Sequence, residues 1–312
     1  MTQASAAKTR LGWIGTGRMG YEMAARLGRA GCDVMAWNRT KAKADPLSAY
    51  GVKVASSLAE IAGRDIVFTM VSTSDDLKEV LLGADGLLAG KARPRIVVDC
   101  SSISIAASAA VRAALQERGI AFLASPVSGN AKVIKAGKLS VVCSGPREVF
   151  AECEPFIKVF GPNGVSYVDD GELARIAKIC HNVFLGVVTQ SLAEITVLAQ
   201  KAGLPRHAFL DFMNNSVMGS VFSRYKTPAF VNLDFKVTFT PQLLRKDMDL
   251  GLEAGRNFEV PMPLASATRD LIQAQIGNGY TDDDFSTLLL LQAKASGIEL
   301  QPEGVAVNDG LS

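Results

Sequence analysis

Residues 10–20 read Arg10-Leu11-Gly12-Trp13-Ile14-Gly15-Thr16-Gly17-Arg18-Met19-Gly20, and an apolar-periodic segment runs on from Met19 to Arg29. The apolar run Arg10 to Ile14 predicts a short buried strand, and the periodic segment predicts a helix ended by Gly31. Between them the glycines fall as G-x-G-x-x-G. Gly15 permits the tight turn, Gly17 lets a ligand approach the backbone, and Gly20 lets the helix sit close to the strand. Unpaired N–H groups at the start of such a helix attract phosphate. A Gly-rich strand–helix turn without a ligand has the same letters. Here a strand precedes and a helix follows, which is the context the phosphate-binding reading requires. Thr16, Arg18 and Met19 complete the cradle.

Working outward, strands and helices alternate for about 120 residues, the pattern of a doubly wound α/β sheet. Strands are expected at Asp33–Trp37, Lys53–Ala55, Asp65–Val71, Arg95–Asp99, Phe122–Ala124, Leu139–Cys143 and Ser166–Tyr167. Helices are expected at Ala42–Tyr50, Asp75–Leu82, Ser104–Arg118 and Pro146–Phe160. The fourth strand is continuously apolar, as suits a parallel sheet covered on both faces. After Gly171 the alternation stops. Glu172 to Lys201 contains no proline and one glycine, Gly186, and predicts one long helix. Its middle, Ile179 to Val188, is apolar on nearly every side and predicts burial between domains or subunits. The rest reads as helical to about Gly297, with a loose tail beyond it. The expected architecture is therefore α/β: a Rossmann-type dinucleotide-binding domain over residues 1–170, then an all-helical domain over 171–312, joined by the long buried helix.

The second strand ends before Asn38-Arg39-Thr40. A site for NAD usually places an acid about 20 residues after the glycines, on the ribose 2′-hydroxyl. Asn38 stands there without charge, Arg39 can pair with a 2′-phosphate, and Thr40 adds a hydroxyl. The expected cofactor is NADP, with NAD possible. Val71 and Ser72, after the fourth strand, join the candidate cofactor contacts.

With these residues in view, the chain resembles the β-hydroxyacid dehydrogenase family over about Leu11 to Leu291. Four stretches carry the resemblance in the family's order: the glycine turn ending Met19-Gly20; Asp99-Cys100-Ser101-Ser102; Ser125-Pro126-Val127-Ser128-Gly129-Asn130; and Gly171 with Lys178 and Asn182. Lys246-Asp247-Met248 is a further match. The resemblance implies that Ser102 meets the cofactor near the nicotinamide, and that Ser128, Gly129 and Asn130 hold a substrate carboxylate. It also implies that Lys178 transfers the proton and that Lys246 reaches the site from the helical domain. Asn130 stands where the family has Gly, and His181 where Asn is common, so the exact substrate is open.

The chemistry fits these residue types. An alcohol oxidised to a carbonyl gives up a hydride and a proton, and the proton needs a protein base. Lys178 can serve if burial lowers its pKa from about 10.4 toward neutrality, and Ile176, Ala177, Ile179 and Val183 supply an apolar setting. Asn182 lies at i+4 on the same helix face and donates a hydrogen bond while staying neutral. A snorkelling lysine on a buried helix is the plainer reading of Lys178 alone. His181 is an alternative acid/base by residue type. Arg224, Lys226, Lys132 and Lys135 read as solvated charges, with anion binding as the alternative, and Phe239 reads as core.

Composition narrows the function further. The formal charge of +2, from 33 basic and 31 acidic residues, offers no electrostatic footprint for nucleic acid or an anionic membrane. There is no uninterrupted run of about 18 apolar residues. Five scattered cysteines and two histidines, without metal-ligand spacing, predict no metal site and a reduced, cytoplasmic protein. A small carboxylate-bearing substrate and a homodimer or homotetramer are the expected partners. Two other readings stand beside the dehydrogenase: an imine reductase of the same architecture, and a non-catalytic binding module on a dehydrogenase scaffold. Lys178 argues against both.

Overall fold

The computed structural model describes residues 9–311; the expectation that Met1 to Lys8 frays lies outside them. The chain divides into two compact units, Met1–Lys178 and Ile179–Ser312. In the first, β1 (Arg10–Ile14), α1 (Arg18–Arg29), β2 (Asp33–Trp37) and β3 (Lys53–Val54) are followed by α2 (Leu58–Ala62), β4 (Ile66–Thr69) and α3 (Ser74–Leu82). Then come β5 (Ile96–Asp99), α4 (Ile105–Gln116) and β6 (Ala121–Ala124). These six strands form one sheet in the order β3-β2-β1-β4-β5-β6, parallel throughout. The order reverses between β1 and β4, the position where a doubly wound sheet opens a crevice at its carboxyl edge. β7 (Val127–Ser128), α5 (Ala131–Lys135), β8 (Ser140–Cys143), α6 (Arg147–Phe160) and β9 (Gly164–Tyr167) follow, and β7-β8-β9 make a separate three-stranded sheet. Trp13 is fully buried, stacked on Phe68 at 5.6 Å with Phe160 edge-on at 5.9 Å, and anchors one face of the large sheet.

Most expected elements are present within a residue or two. The segment expected as a helix at Ala42–Tyr50 is two short 3-10 turns, Lys41–Lys43 and Asp45–Tyr50, because Pro46 interrupts it. The short elements α2, β7 and α5 carry too few residues to show a period.

The long helix α7 (Leu173–Lys201) starts in the first unit and runs through the second, which adds α8 (Arg206–Asn215), α9 (Val221–Asn232), α10 (Pro241–Asn257), α11 (Pro263–Gly277) and α12 (Leu288–Ala295). Two glycines bring α7 and α10 close: a Cβ on Gly186 would sit 2.6 Å from the Met248 sulfur, and one on Gly251 2.1 Å from Val183. The middle of α7 is not covered all round within this chain: Phe184 remains 68% exposed, and Cys180 and His181 are also exposed. By length and apolarity α7 would suffice to cross a membrane, yet 56% of its most apolar window is buried inside the protein, as in a core helix.

Two expectations are corrected here. The segment after Gly297 is docked. Glu303 accepts the backbone N–H groups of Arg206 (2.7 Å) and His207 (2.9 Å), capping a helix whose preceding Pro205 offers no side-chain cap. Leu300 is buried and Val307 packs on the same core as Leu210 and Phe230. Lys226 is not a solvated charge: it is buried against the Asp284 carboxylate, 3.0 Å from Thr238 Oγ1 and 4.2 Å above the Phe285 ring. Burial raises the Asp284 pKa, but Lys226, Ser286 and Thr238 outweigh it and hold the group below its ordinary value.

Candidate active site

At the carboxyl edge of β1 and β2 a cleft of about 520 Å³ gathers Gly15, Gly17, Asn38, Arg39, Thr40, Val71 and Ser72. The glycines have separable reasons. Gly15 has φ +94°, and a Cβ there would strike the Met70 carbonyl oxygen at 2.2 Å. A Cβ on Gly20 would lie 2.0 Å from the Gly15 oxygen, so this residue permits the close helix–strand approach. A Cβ on Gly17 would meet no protein atom within 4 Å. The protein's own described atoms do not demand glycine at 17, and a bare backbone there leaves room for a ligand to approach. Among the described residues no side chain caps the N-terminus of α1, and Thr16 Oγ1 is buried without a partner. An anion at this helix end would satisfy the uncapped N–H groups. The residues present therefore fit a dinucleotide.

Asn38 is committed within the protein. Its Oδ1 accepts the Thr16 N–H at 2.9 Å and its Nδ2 donates to the Thr40 carbonyl at 3.0 Å, tying the glycine turn to the Arg39 loop. Arg39 is 77% exposed and lies 3.6 Å from Asp76. Lys43, Asp76, Glu79 and Asp85 also line the cleft and were not singled out from the sequence. Lys43 lies near enough to Arg39 in sequence to have been found; the acids come from a distant helix and loop. Arg18, Met19 and Ser102 do not line this cleft.

The other candidates of the first unit lie beyond it. Ser101 Oγ accepts the Val71 N–H at 2.9 Å and donates to Asp99 at 2.7 Å, so the serine beside Ser102 binds the β4 and β5 loops together. Ser128 ends β7, paired with Ser140. Gly129 has φ +137°, and a Cβ there would meet Val133 Cγ1 at 2.7 Å. Asn130 caps α5, its Oδ1 accepting the Val133 N–H at 3.1 Å, while its Nδ2 is buried with no partner among the described residues. Lys135 pairs with Glu22 at 3.2 Å. Lys178 is half-buried on α7.

In the second unit Asn182 is 4% exposed and donates through Nδ2 to the buried Asp247 carboxylate. Its Oδ1 lies 2.8 Å from His181 Nδ1, which makes that nitrogen the donor. Lys246 Nζ is 3.1 Å from Asp247. Asp247 therefore holds Asn182 and Lys246 together; the sequence match contains Asp247 but assigns it no role. Among the described residues no three His, Cys, Asp or Glu side chains gather as a metal site.

A parallel sheet of this order with this cradle defines a dinucleotide-binding protein of the doubly wound class. Residues 10–169 match the family described as the NAD binding domain of 6-phosphogluconate dehydrogenase, and residues 173–291 that of NADP-dependent 3-hydroxyisobutyrate dehydrogenase. The chain is 30% identical over 280 residues to glyoxylate/succinic semialdehyde reductase 2 of Arabidopsis thaliana, covering 89% of this chain and 78% of that one. It is also 30% identical to an NAD-dependent L-serine dehydrogenase of Pseudomonas aeruginosa, covering 89% and 96%. A 3-hydroxyisobutyrate dehydrogenase from Salmonella typhimurium superposes with TM-score 0.81 at 26% identity, covering 91% of this chain and all of that one (100%). The chain belongs to the β-hydroxyacid dehydrogenase family and is an NAD(P)-dependent dehydrogenase or reductase acting on a hydroxyl group.

Proposed function

We propose that the chain interconverts a short semialdehyde and its hydroxyacid with NADP(H), using Lys178 as the proton-transfer group. The observation that supports this most is on α7. Asn182, one turn beyond Lys178, is held by Asp247 and His181, so a neutral donor is immobilised beside a titratable amine. A nicotinamide cofactor, when bound, would supply or accept the hydride. Lys178 in its ammonium form gives a proton to the carbonyl oxygen during reduction and recovers it as the amine during oxidation. Asn182 orients that oxygen. Ser128, Gly129 and Asn130 hold the carboxylate, Gly129 because its backbone adopts a turn that no side chain fits. Ser102 and, by the resemblance, Lys246 are the residues that would hold the cofactor. Arg39 and Thr40 favour the 2′-phosphate, and Asn38 supports them by holding the loop.

The relatives' substrates suggest the panel to test: glyoxylate, succinic semialdehyde and, in the oxidative direction, 3-hydroxyisobutyrate and L-serine, each with both cofactors. Turnover of a semialdehyde with NADPH is expected. Lys178→Ala should fold, bind cofactor and lose at least about 100-fold in kcat. Retention of more than a tenth of wild-type turnover would remove Lys178 from the chemistry. The five unpaired cysteines fit a reducing compartment such as the cytoplasm. The exposed apolar stripe of α7 fits self-association as a dimer or tetramer.

A further inference from the structure

Arg175 lies in the first turn of α7, three residues before Lys178, and its side chain is 1% exposed. A cation there opposes the helix dipole, and a buried guanidinium is costly unless fully paired. This one is paired three ways. Nη2 donates to Asp99 Oδ2 at 2.6 Å, Nη1 to the Ser101 carbonyl at 2.7 Å, and Nε to Ser108 Oγ at 3.0 Å. Asp99, itself fully buried, accepts through Oδ1 from Thr69 Oγ1 at 2.6 Å and Ser101 Oγ at 2.7 Å. Ser101 Oγ in turn holds the Val71 N–H. One guanidinium thus joins the ends of β4 and β5, the start of α4 and the first turn of α7.

The helix does not need Arg175 merely to begin. Ser144 Oγ accepts the Ala174 N–H at 3.0 Å and donates to the Gly171 carbonyl at 2.8 Å. Arg112 binds the Gly171 carbonyl and Glu172, both at 2.7 Å. Buried ion pairs often contribute little net stability, and their attested use is to set register. All three Arg175 bonds run to the segments on either side of Ser102. Arg175 and Lys178 are about 4.5 Å apart along the helix axis.

We infer that Arg175 is a positioning residue: it sets the register of Lys178 against the Val71–Ser72 and Ser101–Ser102 loops, and so against the bound nicotinamide. This rests on the function proposed above. A misplacement of about 1 Å can cost about 100-fold in rate.

The test uses the full chain with NADPH and succinic semialdehyde, or the member of the panel that turns over fastest. Arg175→Lys keeps the charge on Asp99 and loses the fork. It should lower kcat by about 10- to 100-fold, leave the KM for NADPH within about threefold, and raise the isotope effect on kcat with NADPH deuterated at the transferred position. Arg175→Met with Asp99→Asn removes both charges together and should do the same. A purely structural role would lower melting temperature and active fraction without changing the isotope effect, and that result overturns the inference. So does unchanged kcat per folded molecule, a change confined to the NADPH KM, or failure of both variants to fold. Lys178→Ala is measured in parallel. If it stays active, the proton-transfer reading fails on its own; if it dies while Arg175→Lys is unaffected, only the positioning inference fails.

Discussion

Removing the Arg39 guanidinium tests cofactor preference, and the structure sets the size of the effect. A charge-assisted hydrogen bond contributes about 1.5–3 kcal/mol, which is roughly 10- to 100-fold in affinity. Arg39 is 77% exposed, so screening places it at the lower end. It also lies 3.6 Å from Asp76, and that acid cannot easily withdraw: its other oxygen caps α3 by accepting from the Thr73 N–H (3.1 Å) and hydroxyl (2.7 Å). A 2′-phosphate must displace Asp76 from Arg39 and sit in a cleft that also contains Glu79 and Asp85. An exposed ion pair is worth about 0–1 kcal/mol, so the net preference expected is close to tenfold. Arg39→Ala should therefore raise the KM for NADPH about tenfold and leave that for NADH within about twofold. Asp76→Asn keeps the helix cap and removes the competing charge, and should lower the NADPH KM a few-fold. Initial-rate kinetics with each cofactor decide it. Equal weakening of both cofactors by Arg39→Ala would mean that Arg39 stacks on the adenine, and the preference for NADP would lose its basis. Asn38→Asp alone should weaken both cofactors before it shifts preference, because it replaces the donor to the Thr40 carbonyl with a second oxygen at about the same 3.0 Å.

Three other outcomes are expected. Asp284→Ala leaves Lys226 charged and buried and should cost about 3–5 kcal/mol in denaturant unfolding of the helical unit; a loss below 1 kcal/mol would show that water replaces the partner. Burial raises the Glu303 pKa, but its bonds to the His207 backbone and ring and to the Arg206 backbone and charge outweigh that and depress it. The folded value thus lies below the unfolded one, so tail docking is fully stabilised above about pH 4.3 and is lost as pH falls through the folded value. Hydrogen exchange at residues 300–305 against pH measures this, and no change on acidification, or the same profile in Glu303→Gln, rejects it. Sedimentation at micromolar concentration should show a dimer or tetramer, and Phe184→Asp should shift it toward monomer; a stable wild-type monomer would leave Phe184, Leu198 and the stripe between them simply solvent-exposed.

What could be read beforehand was whatever the chain writes locally. The period of two or 3.6, the glycine turn and the breakers located the sheet strands and α7 to within a residue or two, because each depends on neighbours in sequence. The resemblance singled out Lys178, Asn182 and Lys246 as candidates by their spacing. What could not be read was pairing across distance. Arg175 finds Asp99 76 residues away, Asn182 finds Asp247 65 away, and Glu303 caps a helix 97 away. In each case the residue types are ordinary and only the fold makes them partners. The tail was expected to be loose for the same reason: nothing beside Glu303 in sequence shows that α8 begins after a proline and lacks a cap.

Asn38 shows the same limit within the site itself. Its neutrality was legible and points to a missing ribose acid. Its orientation was not, since an amide that serves the Thr16 N–H on one side and the Thr40 carbonyl on the other is spent on shape rather than on ligand. Cofactor preference at this edge then depends on a balance of exposed charges, Arg39 and Lys43 against Asp76, Glu79 and Asp85, whose members come from separate elements. Each pair is worth about 1 kcal/mol or less, so neutralising one acid shifts the preference by up to a few-fold. That is why Asp76→Asn, and not a substitution at Asn38, is the change expected to raise NADPH affinity without disturbing the glycine turn.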